Sequence, residues 1–128
     1  MRLPAGISLA ILAVGLLSGC GHPLERKLEG RWLGQTVENF DDRDMAAATG
    51  WAKGLLFEFA GSSLTVSIPA EEPRSGRYHV ASVHHNDVRL TVDRKDQKPD
   101  TVVLKLDDEQ SLRWMLGEGR SVVLRKER

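Results

Sequence analysis

Leu55-Leu56-Phe57-Glu58-Phe59-Ala60-Gly61-Ser62-Ser63-Leu64-Thr65-Val66-Ser67-Ile68 is the stretch that decides the fold. Leu55, Phe57 and Phe59 alternate with Leu56, Glu58 and Ala60; after a Gly-Ser-Ser turn, Leu64, Val66 and Ile68 alternate with Thr65 and Ser67. A period of two puts each apolar set on one face of an extended chain, so the stretch reads as a β-hairpin with one buried side. The same period runs to the end of the sequence. Residues 69–73 form a polar loop, residues 77–83 a strand, and His84-His85-Asn86-Asp87 a turn before Val88, Leu90 and Val92. Further turns at 95–100, 107–110 and 117–119 separate strands carrying Val102, Leu104 and Leu106, then Leu112, Trp114 and Leu116, then Val122 and Leu124.

Upstream, residues 30–37 (Gly-Arg-Trp-Leu-Gly-Gln-Thr-Val) suit a first strand, which brings the count to eight. Residues 41–53 differ: Met45, Ala48, Trp51 and Ala52 fall at helical spacing, with Asp41 or Asp42 placed to cap and Asp44 to favour the helix dipole. Eight short strands, each apolar on one face, need a shared interior. An antiparallel up-and-down barrel provides it with the shortest connections and leaves no open edge. The fold class expected is therefore all-β, an eight-stranded barrel with one short helix between strands 1 and 2 covering an open end.

The 128 residues carry 18 basic and 18 acidic side chains, so net charge draws neither nucleic acid nor anionic lipid. Residues 20–73 hold 5 basic and 9 acidic residues and residues 74–128 hold 12 and 9, an asymmetry that a closed barrel can pair across itself. Cys20 is the single cysteine, so the fold rests on its core without an internal disulfide. The basic cluster Arg94, Lys95 and Lys98 is interrupted by acids and has no aromatic residues among it for base stacking.

Cys20 closes the run Leu17-Ser18-Gly19-Cys20 after a positive start, Met1-Arg2, and an apolar segment at 7–17 too short to span a bilayer. This resembles the lipobox of bacterial lipoproteins. The resemblance implies cleavage after Gly19 and lipid attachment at Cys20. It divides the chain into a cleaved signal (1–19), a lipidated cysteine with a charged tether (20–29) and the barrel domain (30–128). Gly21 stands where an aspartate would, by resemblance to enterobacterial sorting, retain the protein at the inner membrane; the expected place is the outer membrane of a bacterial envelope, facing the periplasm.

Gly30-Arg31-Trp32 on the first strand, with a meander and a late Arg125, resembles the Gly-X-Trp start of lipocalin-like, or calycin, barrels. That resemblance implies that Trp32 closes one barrel end with Arg125 packed across it, or with Arg113 or Arg120 in its place. The one-sided apolar alternation adds that a ligand, if the barrel binds one, is small and apolar and touches Phe57, Phe59, Leu90, Leu104 and Trp114 inside. The chain departs from lipocalins in its short length and in lacking a long final helix. Ser75-Gly76-Arg77-Tyr78 is similar to the Ser-Gly-X-X-Tyr loop-to-strand segment of lipoprotein inhibitors of c-type lysozyme, although the cysteines of that family are absent. The alternative function is a protein-interaction module that assists assembly of an outer-membrane complex, as small-barrel pilotins of secretion systems do, with an outer-membrane protein as partner.

Catalysis has little footing. No Gly-X-Ser-X-Gly elbow is present, and Glu38, Glu58, Glu71 and Glu72 show no pattern that pairs two carboxylates. His79, His84, His85 and Asp87 are of metal-ligand type, but neighbours on a strand point to opposite faces, and His84-His85 reads as a solvated turn. His22 lies in the tether. Asp41, Asp42 and Asp44 lack a calcium-loop spacing. The expectation is a non-enzymatic, monomeric accessory protein with no metal and no cofactor. Its expected partners are the membrane, through the lipid, and either a small apolar ligand or an outer-membrane protein.

Overall fold

A computed structural model of the chain describes residues 23–95 and 97–127. The expected signal segment (1–19) and Cys20 lie outside them. Eight antiparallel strands close into one barrel: β1 (Gly30–Glu38), β2 (Leu56–Ala60), β3 (Ser63–Ser67), β4 (Arg74–His84), β5 (Asp87–Asp93), β6 (Asp100–Asp108), β7 (Ser111–Gly117) and β8 (Arg120–Lys126). Each strand pairs with the next, and β8 pairs back onto β1. The all-β, up-and-down barrel read from the period of two is the fold found, with the helix between the first two strands.

The register explains why the alternation works. Trp32 stands opposite Phe57 and Phe57 opposite Val66, while Leu104 stands opposite Trp114 and Trp114 opposite Val122, so inward apolar residues meet inward apolar residues strand after strand. The outward face carries Arg31 opposite Glu58, and Lys105 opposite Arg113. A barrel polar outside and apolar inside has the opposite polarity to one that spans a membrane with its strands.

Two helices mark the two ends. At one end a 3₁₀ turn (Asp42–Asp44) leads into α2 (Met45–Ala52), whose Met45, Ala48 and Trp51 pack on the core and whose Ala52 is fully buried. The capping expected of Asp41 or Asp42 is not made, and no side-chain hydrogen bond closes the start of either the turn or the helix. Packing therefore holds α2, and its tightest point is Gly34. The Gly34 N–H donates to the Leu55 carbonyl (3.0 Å), and a Cβ at Gly34 would collide with the Ala52 carbonyl.

At the other end lies α1 (Leu24–Leu28), which corrects the expected tether. Leu28 is fully buried, its carbonyl accepts the Trp32 indole N–H (2.8 Å), and the Glu29 carboxylate accepts the Gly61 N–H (3.1 Å). Residues 24–29 thus belong to the barrel. Leu24 and Leu28, one helical turn apart, put their side chains on the same face, and that is the physical reason.

A line of rings crosses the interior between the helices. Trp51 stacks on Trp114 (centroids 6.3 Å), Trp114 meets Phe57 (5.2 Å), Phe57 meets Phe59 (6.5 Å), and Phe59 meets Tyr78 edge-on (5.2 Å). Tyr78 is buried and its hydroxyl is the one buried side-chain polar atom without a partner among the described residues. Burial, with Glu25 and Glu29 nearby, holds the pKa of this phenol well above the ordinary tyrosine value.

Two outcomes follow for stability. Gly34→Ala should displace α2 and cost about 2–4 kcal/mol in urea unfolding, in the range of strong core disruptions. Tyr78→Phe removes a buried unsatisfied hydroxyl and should raise stability by about 1 kcal/mol at neutral pH. Because the folded phenol resists ionisation, the parent protein should lose about 1.4 kcal/mol per pH unit above pH ~10, where the unfolded chain ionises and the native state does not. Tyr78 is the single tyrosine, so the gap between parent and Tyr78→Phe stability, measured against pH, isolates this loss.

Candidate functional site

Among the described residues the centre of the barrel is packed with buried side chains, and two cavities lie at its opposite ends. At the α2 end a cavity of about 230 Å³ is bounded by Phe57 of β2, Leu64 and Val66 of β3, Ile68, Val92 of β5, Val102 of β6 and Trp114 of β7. Its walls come from strands whose inward positions are apolar, and its rim is polar: Arg74, Ser75, Arg94, Asp100 and Thr101. Both rim arginines are already paired, Arg94 with Asp100 (2.7 Å) and Arg74 with Glu71 (3.1 Å). Ser75 and Thr65 share a hydroxyl hydrogen bond (2.8 Å). An apolar pocket with a charge-balanced rim can take up a small, uncharged apolar group and offers nothing that would activate it chemically.

Of the five residues expected to touch a ligand, Phe57 and Trp114 line this cavity. Phe59, Leu90 and Leu104 do not; they are fully buried in the packed interior between the two ends. The alternation that points all five inward says nothing of depth along the barrel axis, and depth separates them.

The second cavity, about 510 Å³, lies at the α1 end. Trp32 and Val88 form part of its wall, with Leu24, Arg26 and Lys27 of α1, Val83, Leu106 and the two turns that follow β4 and β6. Trp32 closes this end, but the cation against its ring is Lys126 (5.4 Å), not Arg125. Arg125 pairs in register with Leu33 on the outward face and is exposed. Strand parity is the reason: Val122 and Leu124 point inward, so Lys126 does too and Arg125 cannot. The substitutes are engaged elsewhere, Arg113 with Asp107 (2.9 Å) and Glu38 (3.3 Å), and Arg120 over the Phe40 ring (5.3 Å).

The remaining motifs are placed as follows. Ser75-Gly76-Arg77-Tyr78 lies wholly within β4, with Gly76 against Val92 and Asp93 and Tyr78 in the core, so the expected loop-to-strand passage is continuous strand. His84 and His85 sit edge to face at 4.4 Å in the turn between β4 and β5, and His79 faces Asp93 at 3.7 Å. Among the described residues no group of three or more His, Cys, Asp or Glu is arranged to hold a metal, and no helix is long and apolar enough to cross a membrane. Among the described residues the exposed large apolar side chains are Leu33, Val83 and Leu116, on three strands of which no two are neighbours. No known family, curated protein or solved structure matches the chain.

Removing the ring partner separates the two candidate cations. Lys126→Ala should cost about 0.5–2 kcal/mol in chemical denaturation, the range of a cation over an indole. Arg125→Ala should stay within about 0.5 kcal/mol of the parent protein, as an exposed surface substitution does.

Proposed function

We propose that this protein is a lipid-anchored lipoprotein of the bacterial envelope, held at Cys20 with its barrel in the periplasm and placed preferentially at the outer membrane, and that it binds a small apolar ligand without catalysing a reaction. The observation that carries the binding role is the apolar cavity at the α2 end, walled by Phe57, Val66, Val102 and Trp114 beneath a rim whose charges are paired. An eight-stranded barrel is the size at which side chains either fill the interior or leave room for one small ligand, and here the filled centre leaves the room at the mouth. At about 230 Å³ the cavity falls below the roughly 300 Å³ at which drug-sized sites begin, which favours a single ring or a short chain over a long acyl group. Anchoring is supported by the run Leu17-Ser18-Gly19-Cys20 behind a short apolar segment.

Titration with 1-octanol, a short neutral amphiphile, tests the binding role through Trp114, which lines the cavity and stacks on Trp51. A saturable change in tryptophan emission with a rise in melting temperature is expected, and Val102→Phe, which fills the cavity, should abolish both. An unchanged emission and melting temperature in the parent protein would count against a ligand at this site.

A further inference from the structure

The folding of residues 24–29 onto the barrel changes how far the barrel can stand from a membrane. If Cys20 carries the lipid, as proposed above and as this inference requires, only Gly21 and His22 separate it from Pro23, where the described chain begins. Three Cα-to-Cα steps of about 3.8 Å reach at most ~11 Å, little more than the headgroup layer of roughly 5–8 Å on each side of a bilayer. The α1 end of the barrel is fixed at that distance by the Leu28 and Glu29 contacts. The α2 end lies about 20 Å further away along tilted seven-residue strands.

We infer that the α1 end is a bilayer-docking face, and that its cavity of about 510 Å³ receives the zwitterionic headgroup of a membrane phospholipid. The lining carries both signs of charge, Arg26, Lys27 and Lys126 against Asp108 and Glu109, with Asp107 already held by Arg113, which matches a phosphate joined to an ammonium rather than a single anion. Val83, among the most exposed of the large apolar side chains, stands at the same cavity, where it meets the apolar side of the headgroup layer. The mixed charges give this end no strong field, so the covalent reach of the anchor, and not electrostatic attraction, brings it to the surface. The ligand cavity at the opposite end then opens into the aqueous space.

The processed, full-length lipoprotein in phosphatidylcholine vesicles provides the test. With Cys20 consumed by lipid, Ser62→Cys in the β2–β3 turn at the α1 end and Glu72→Cys at the α2 end each offer one thiol for a bimane fluorophore; both positions are exposed and neither lines the α1-end cavity. Vesicles doped with phosphatidylcholine bearing a nitroxide on its choline should remove most of the emission at position 62 and leave position 72 nearly unchanged. Equal quenching at the two positions, or stronger quenching at 72, overturns the docking face while leaving the anchor intact. Stronger quenching at 62 by a nitroxide placed mid-chain than by one on the headgroup overturns the headgroup seat. An intact mass without lipid on Cys20, with protein that does not float with the vesicles, overturns the anchor and the inference together.

Discussion

The indole N–H of Trp32, donated to the Leu28 carbonyl at 2.8 Å, is the contact through which one end of this barrel is organised. It joins α1 to β1 inside the core, and the same ring carries Lys126 from β8 on its face, so one side chain gathers the first helix, the first strand and the last. Such a hydrogen bond contributes about 1 kcal/mol net, yet losing it would leave a buried carbonyl unpaired at a cost of about 1–3 kcal/mol. Buried Leu28 adds its apolar surface to the same junction. The Glu29 carboxylate, which accepts the Gly61 N–H, and the two leucines of α1 add to this contact.

The two ends of the barrel consequently differ in kind. At the α1 end, hydrogen bonds and a cation over an indole fix the chain tightly around a large cavity of mixed charge. At the α2 end, a helix held by packing alone leans its Trp51 on Trp114, beside a smaller apolar cavity. The rings from Trp51 to Tyr78 fill the space between and keep the cavities apart. A ligand at one end is therefore screened from whatever meets the other.

Most of the barrel was legible because a period of two is a strong signal over eight strands, and because inward positions such as Phe57, Leu90, Leu104 and Trp114 are apolar without interruption. Three features were harder to see. α1 is only five residues long, and Leu24 and Leu28 give a single i,i+4 pair, too little to distinguish a docked helix from a tether. Lys126 could have been found from the parity of Val122 and Leu124, whereas the resemblance to calycin barrels directs attention to an arginine. Depth along the axis, which removes Phe59, Leu90 and Leu104 from the cavity wall, has no counterpart in alternation; it depends on the stagger between strands, which local sequence does not encode.

Closure of the barrel by β1 and β8 also sets the order in which the chain can become a barrel. The two strands are about 90 residues apart, and Glu127 N–H still donates to the Arg31 carbonyl beyond the last strand. Until β8 arrives, β1 and β7 each keep one unpaired edge, and the ring of apolar side chains has a gap along its whole length. Contacts of such long sequence separation form slowly, since the loop entropy is lost before the pairing gains anything. A ribosome that still holds β8 therefore holds an open sheet, and the last seven-residue strand turns that sheet into a closed cylinder.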